Sequence, residues 1–73
     1  GDFEKSLRDI KEVLTRQPRH FGAISGAGLI HLQNLSFEKA LNSYLLLKKI
    51  DPKNVDSERF IPMLKKKIYG ESL

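Results

Sequence analysis

The chain has no cysteine. Disulfides and cysteine-based metal sites are therefore excluded, and either cytoplasm or periplasm is compatible with that lack. Long apolar runs are missing too. The longest is Tyr44-Leu45-Leu46-Leu47, far short of the roughly 18 residues that suggest a membrane span. The amino end lacks the apolar stretch of a signal peptide, because Asp2, Glu4, Lys5, Arg8 and Asp9 interrupt it. The first residue is Gly1 rather than Met, so the expectation is a piece of a longer chain, of unknown compartment. Histidine is scarce: His20 and His31 are eleven positions apart, about three helical turns, and cannot share a metal. Ser6, Ser25, Ser36 and Ser43 have no histidine placed to activate them. Neither a cofactor nor catalysis is expected.

The 73 residues make one small domain at most, with a thin core. At 40% hydrophobic and 30% charged, the chain is too apolar for disorder. The net charge of +4 is uneven. Residues 1–58 carry nine Lys/Arg against eight Asp/Glu, while residues 59–73 carry Arg59, Lys65, Lys66 and Lys67 against Glu71. Basicity thus belongs to the last segment.

The chain matches itself when shifted by 34 residues. Phe3-Glu4-Lys5-Ser6-Leu7 falls on Phe37-Glu38-Lys39-Ala40-Leu41, and Pro18 falls on Pro52. Ile10 and Val13 fall on Tyr44 and Leu47. Self-similarity at such a period signals stacked helical repeats, whose apolar faces are buried only by neighbours.

The pattern predicts an all-α fold of four antiparallel helices, about 2–16, 19–33, 37–50 and 55–69. In the first, Phe3, Leu7, Ile10, Val13 and Leu14 form one apolar stripe behind Asp2 as N-cap. Its other face pairs Glu4 with Arg8, Lys5 with Asp9, Arg8 with Glu12 and Glu12 with Arg16 at i, i+4. Pro18 is expected in the first turn of the second helix, and His20 as an exposed residue at its start. Gly22, Gly26 and Gly28 inside that helix cost about 0.5–1 kcal/mol each unless close packing offsets them. Asn34 is expected to take the left-handed turn conformation, and Ser36 to cap the third helix. Apolar residues nearly encircle that helix, so it should pack on two neighbours. Pro62 predicts either a kink or a last helix that begins near Phe60. Lys65, Lys66 and Lys67 complement the negative helix end, and Gly70 is a stop.

The period and these residues resemble the tetratricopeptide repeat. Gly28, Ala40, Tyr44 and Pro52 match the family pattern. Ile24, Ala27 and His31 stand where the family usually has Trp, Leu and Tyr. The resemblance covers residues 1 to about 54. It implies one domain over 1–73: the second helix of a repeat at 1–17, a complete repeat at 19–52, and a capping helix at 53–73. It also implies that Gly28 lets the next helix approach backbone to backbone.

The resemblance further implies a scaffold that binds a peptide or partner protein in a concave groove. Carried onto this chain, the groove positions are Gly22, Ser25, Leu29, Leu32 and Gln33, then Arg59, Met63, Lys66 and Lys67. Such a groove is mildly apolar at one end and basic at the other, which suits a partner with acidic residues. The family's carboxylate clamp needs Lys and Asn where Ser25, Gly26 and Leu29 stand, so chaperone-tail binding is not implied. Two other readings remain. The basic last helix could contact nucleic acid or an anionic membrane, both weakly signalled. A purely structural role is the other, with weak homodimerisation through the first helix.

Overall fold

The computed structural model describes residues 2–70. Four helices follow one another: α1 (Phe3–Arg16), α2 (Phe21–Gln33), α3 (Phe37–Ile50) and α4 (Val55–Tyr69). No strand occurs among the described residues. The expected ends of the domain, residue 1 and residues 71–73, lie outside them.

The 34-residue period is written into the helix boundaries. α1 and α3 begin at Phe3 and Phe37 and end at Arg16 and Ile50. α2 and α4 begin at Phe21 and Val55. The caps repeat as well. The His20 side chain accepts from the backbone N–H of Ala23, and the Asn54 side chain from that of Ser57. Both turns between helices close with the same bond, His20 N to Gln17 O and Asn54 N to Asp51 O, each 3.0 Å.

α2 therefore starts at Phe21 and not at residue 19. Pro18 and Arg19 form the turn, and Pro18 is outside the helix. His20 is more than an exposed contact: its Nδ1 takes an orphan N–H of the first turn at 3.0 Å. Asp2 caps α1 as expected, accepting from Lys5 N. α1 accordingly begins at Phe3. Ser36 is the N-cap of α3 but makes no side-chain cap bond.

The turn after α2 also differs. Asn34 has φ −90°, and Leu35 takes the left-handed conformation with φ 59°. Ser36 N bonds to His31 O at 2.8 Å and Leu35 N to Leu32 O at 3.1 Å. That bond pair is the Schellman closure, which assigns the left-handed residue to the position after the cap. The register of the hydrogen bonds thus overrides the preference of the side chain.

α4 runs through Pro62 rather than starting near Phe60. The Asn54 cap starts the helix about one and a half turns earlier. Pro62 leaves the Glu58 carbonyl without its N–H partner, yet Pro62 and Glu58 are both exposed, so the carbonyl is open to solvation. Gly70 ends the helix at φ 92°, as a C-terminal glycine does at low cost. On α1, only Glu12 and Arg16 form an ion pair, at 3.3 Å. The other expected i, i+4 pairs do not meet among the described residues, since exposed pairs gain little against side-chain entropy.

Each helix packs on the next in sequence, while the backbones of α1 and α3, and of α2 and α4, stay apart. Gly28 lies against Ser43 and Tyr44, and α3 reaches α4 at Tyr44–Phe60 and Phe37–Lys67. Phe37 at the start of α3 meets Lys67 near the end of α4, and Tyr44 further along α3 meets the earlier Phe60, so these neighbours are antiparallel. The core is Ile24, Ala40, Leu41, Tyr44, Leu47, Ile61 and Leu64. It is centred on α3, the helix with two neighbours. α1 has no fully buried residue.

Candidate functional site

Gly28 carries the tightest contact among the described glycines. A Cβ there would lie 3.0 Å from Tyr44 Cζ and 3.3 Å from Ser43 Cβ. The close approach was expected, but its form was not: the aromatic ring of α3, not its backbone, fills the space above Gly28. The Tyr44 ring then meets Phe60 of α4 at 5.1 Å between centroids. Ser57 is fully buried and lies 3.0 Å from the Tyr44 carbonyl and 2.9 Å from Asn54 Oδ1. Its hydroxyl donates to one or the other. Tyr44 thereby links α2, α3 and α4 and fixes how their outer faces stand.

Those faces hold the expected partner-binding residues. On α2, Gly22, Leu29 and Gln33 are exposed, and Ser25 and Leu32 are half-buried. On α4, Arg59, Met63, Lys66 and Lys67 are exposed. The two sets are one set repeated, since Ser25, Leu29, Leu32 and Gln33 plus 34 are Arg59, Met63, Lys66 and Lys67. Leu29 is 47% and Met63 37% exposed, so at this repeated position each helix leaves a large apolar side chain open to solvent. The backbones of α2 and α4 do not come close, and both helices pack on α3. Lys67 spans part of the gap, its ammonium 5.7 Å from the Phe37 ring centre. Arg59 stands 5.9 Å from the ring of its neighbour Phe60. Such exposed cation–π contacts are worth about 0.5–1 kcal/mol and hold both charges near the helix surface.

Sequence reasoning missed Phe21 and Phe37 at this surface. Phe21 is 38% exposed at the start of α2, and Phe37 supplies the platform for Lys67. Phe37 also packs against the core. Its pairing with Lys67 depends on the spacing of α3 and α4, which no local pattern reports.

His31 is half-buried on α2. Burial, and second the Lys39 ammonium, hold its pKa below the ordinary histidine value. Tyr44 is pushed up by burial and then by Asp56. Neither has an arrangement for proton transfer. Among the described residues, no group of three or more His, Asp or Glu could hold a metal, and no helix is long and apolar enough to cross a membrane.

The sequence as a whole is similar to that of a known protein. A TPR repeat-containing protein of Rhizobium etli is 33% identical over 70 residues. This is a tetratricopeptide-type chain. The match covers 96% of this chain and 34% of the relative, so the tetratricopeptide unit here spans about a third of that protein's length. No family model and no solved structure matches the chain. The structure carries the repeat register further than residue 54, because α4 keeps the start and cap of α2.

Proposed function

We propose that this tetratricopeptide unit is a non-catalytic protein-interaction module. It binds a peptide or protein segment across the outer faces of α2 and α4. Leu29 and Met63 make the apolar contacts, beside Ser25, Leu32 and Gln33. Arg59, Lys66 and Lys67 receive acidic residues of the partner. The observation that carries this reading is the repeated exposure of a large apolar residue at equivalent positions of α2 and α4. Such residues in a stacked repeat have no intramolecular partner to bury them, and a partner would.

The test is binding of proteins that co-purify with the parent chain, compared with Leu29→Glu/Met63→Glu and with Lys66→Gln/Lys67→Gln. Loss in both variants, with unchanged circular dichroism, supports the reading. Binding to nucleic acid or anionic vesicles that falls steeply with salt and needs only Lys65, Lys66 and Lys67 would replace it. A dimer that dissociates on Phe3→Glu or Leu7→Glu, with no other partner, would show a structural role instead.

A further inference from the structure

α1 and α3 both pack on α2, while their own backbones stay apart. Between them lies an open cleft of about 320 Å³, lined by Leu7, Ile10, Lys11 and Leu14 of α1, Ala27 and His31 of α2, and Lys39 of α3. This is not the surface described above. Ala27 and Leu29 are two residues apart, so they point about 200° apart around α2. The cleft opens on the opposite side of that helix.

Its chemistry is two-part. The floor is aliphatic: Leu7, Ile10, Leu14 and Ala27. The ionisable side chains in the lining are Lys11, Lys39 and His31, with no carboxylate among them. Neither lysine has a carboxylate within ion-pairing distance among the described residues. A small ligand needs most of its surface enclosed, and 320 Å³ is at the low end of the ~300–1,000 Å³ of such pockets. A cleft bounded by two helices and open to solvent instead fits the apolar stripe of a protein segment. The two lysines select acidic residues flanking that stripe.

We infer that the cleft between α1 and α3 is a second docking site, for an acidic amphipathic helix of a partner protein. The segment seats aliphatic side chains on Leu7, Ile10, Leu14 and Ala27, and its carboxylates meet Lys11 and Lys39. The site is independent of the α2/α4 surface, and the two can be occupied together.

The probe is a synthetic helical peptide with leucines along one face and glutamates on either side of them. A twin carries glutamine in place of every glutamate. Binding is read by amide chemical-shift changes and by fluorescence anisotropy. The expected result is shifts centred on residues 7–14, 27, 31 and 39, with at least tenfold weaker binding for the glutamine twin. Lys11→Glu/Lys39→Glu should lose at least tenfold at the cleft, whereas the charge-matched Lys48→Glu/Lys53→Glu, exposed and lining neither site, should leave binding of the probe unchanged. The first pair lies on exposed side chains, so unchanged circular dichroism will show that the fold persists. No saturable binding at millimolar probe overturns the inference. So do shifts confined to the α2/α4 surface with none at residues 7–14, 27, 31 and 39, equal binding of the twin, or undiminished binding by Lys11→Glu/Lys39→Glu. Oleate giving the same shifts more tightly than the peptide would reassign the cleft to an amphiphile. A concentration-dependent mass that Lys11→Glu/Lys39→Glu abolishes would reassign it to a second copy of the chain. Failure here leaves the α2/α4 reading standing, because the two sets of variants lie on opposite sides of α2.

Discussion

The ring of Tyr44 rests on the bare Cα of Gly28, with Cζ only 3.0 Å from where a Cβ would be. Two residues earlier, Gly26 meets only the terminal Cδ1 of Ile10, at 3.4 Å. These two glycines of one helix should therefore respond in opposite directions. Gly28→Leu must push the ring aside and should destabilise by roughly 1–3 kcal/mol. Gly26→Ala gains helix propensity at an ordinary contact and should stabilise by about 0.5–1 kcal/mol. Urea titration of the pair checks this. Equal signs would mean that α2 does not approach α3 as described.

The Tyr44 hydroxyl is buried with no hydrogen-bond partner among the described protein groups. An orphaned buried hydroxyl costs about 1–3 kcal/mol. Tyr44→Phe keeps the ring contacts with Gly28 and Phe60 and removes that cost, so it should raise stability by about 1 kcal/mol. Tyr44→Ala empties the centre of the core and should lower it by about 3–5 kcal/mol. A Tyr44→Phe variant less stable than wild type would reveal a partner for the hydroxyl.

Leu35 occupies a left-handed backbone with its side chain 72% exposed. The conformation costs a non-glycine residue about 1–2 kcal/mol, against about 0.5–1 kcal/mol of extra unfolded-state freedom for glycine. Leu35→Gly should thus stabilise by up to ~1 kcal/mol, a rise of a few degrees in Tm for a chain of this size. Thermal unfolding measures it, and a lower Tm would contradict the turn geometry.

His31 has its pKa lowered in the fold by burial and by Lys39. The unfolded chain then takes up this proton at higher pH than the folded one. Its contribution to stability is full above about pH 6.5 and declines as pH falls from there towards the folded value. Urea unfolding of wild type and His31→Gln, at about pH 5 and pH 7.5, isolates this part from the carboxylates and His20. Wild type should lose more stability on acidification than His31→Gln. A steeper loss in the variant would reverse the sign and refute the burial argument.

Much of the architecture was legible in the residues themselves. Apolar spacing marked four helices, and the match of Phe3–Leu7 to Phe37–Leu41 set the period that the helix boundaries obey. The cap at Asp2 and the stop at Gly70 are local chemistry, decided by residues that lie next to one another. The exposed positions of α2 and α4 followed from the same period, once the family resemblance was drawn.

What the sequence could not decide were competitions settled by packing and by hydrogen-bond register. Leu35 took the left-handed turn because the closing bonds to His31 and Leu32 required it there, against the preference of Asn34. Pro62 stayed within a helix because the Glu58 carbonyl that it leaves unpaired belongs to an exposed residue. Phe37 became a platform for Lys67, and Lys11 and Lys39 came to flank one cleft. Those pairs are 30 and 28 residues apart in the chain, and only the stacking of α1, α3 and α4 around their neighbours places them together. Periodicity is a property of one helix; the distance between two helices is set by the smallest side chains at their contact, here Gly28 beneath Tyr44.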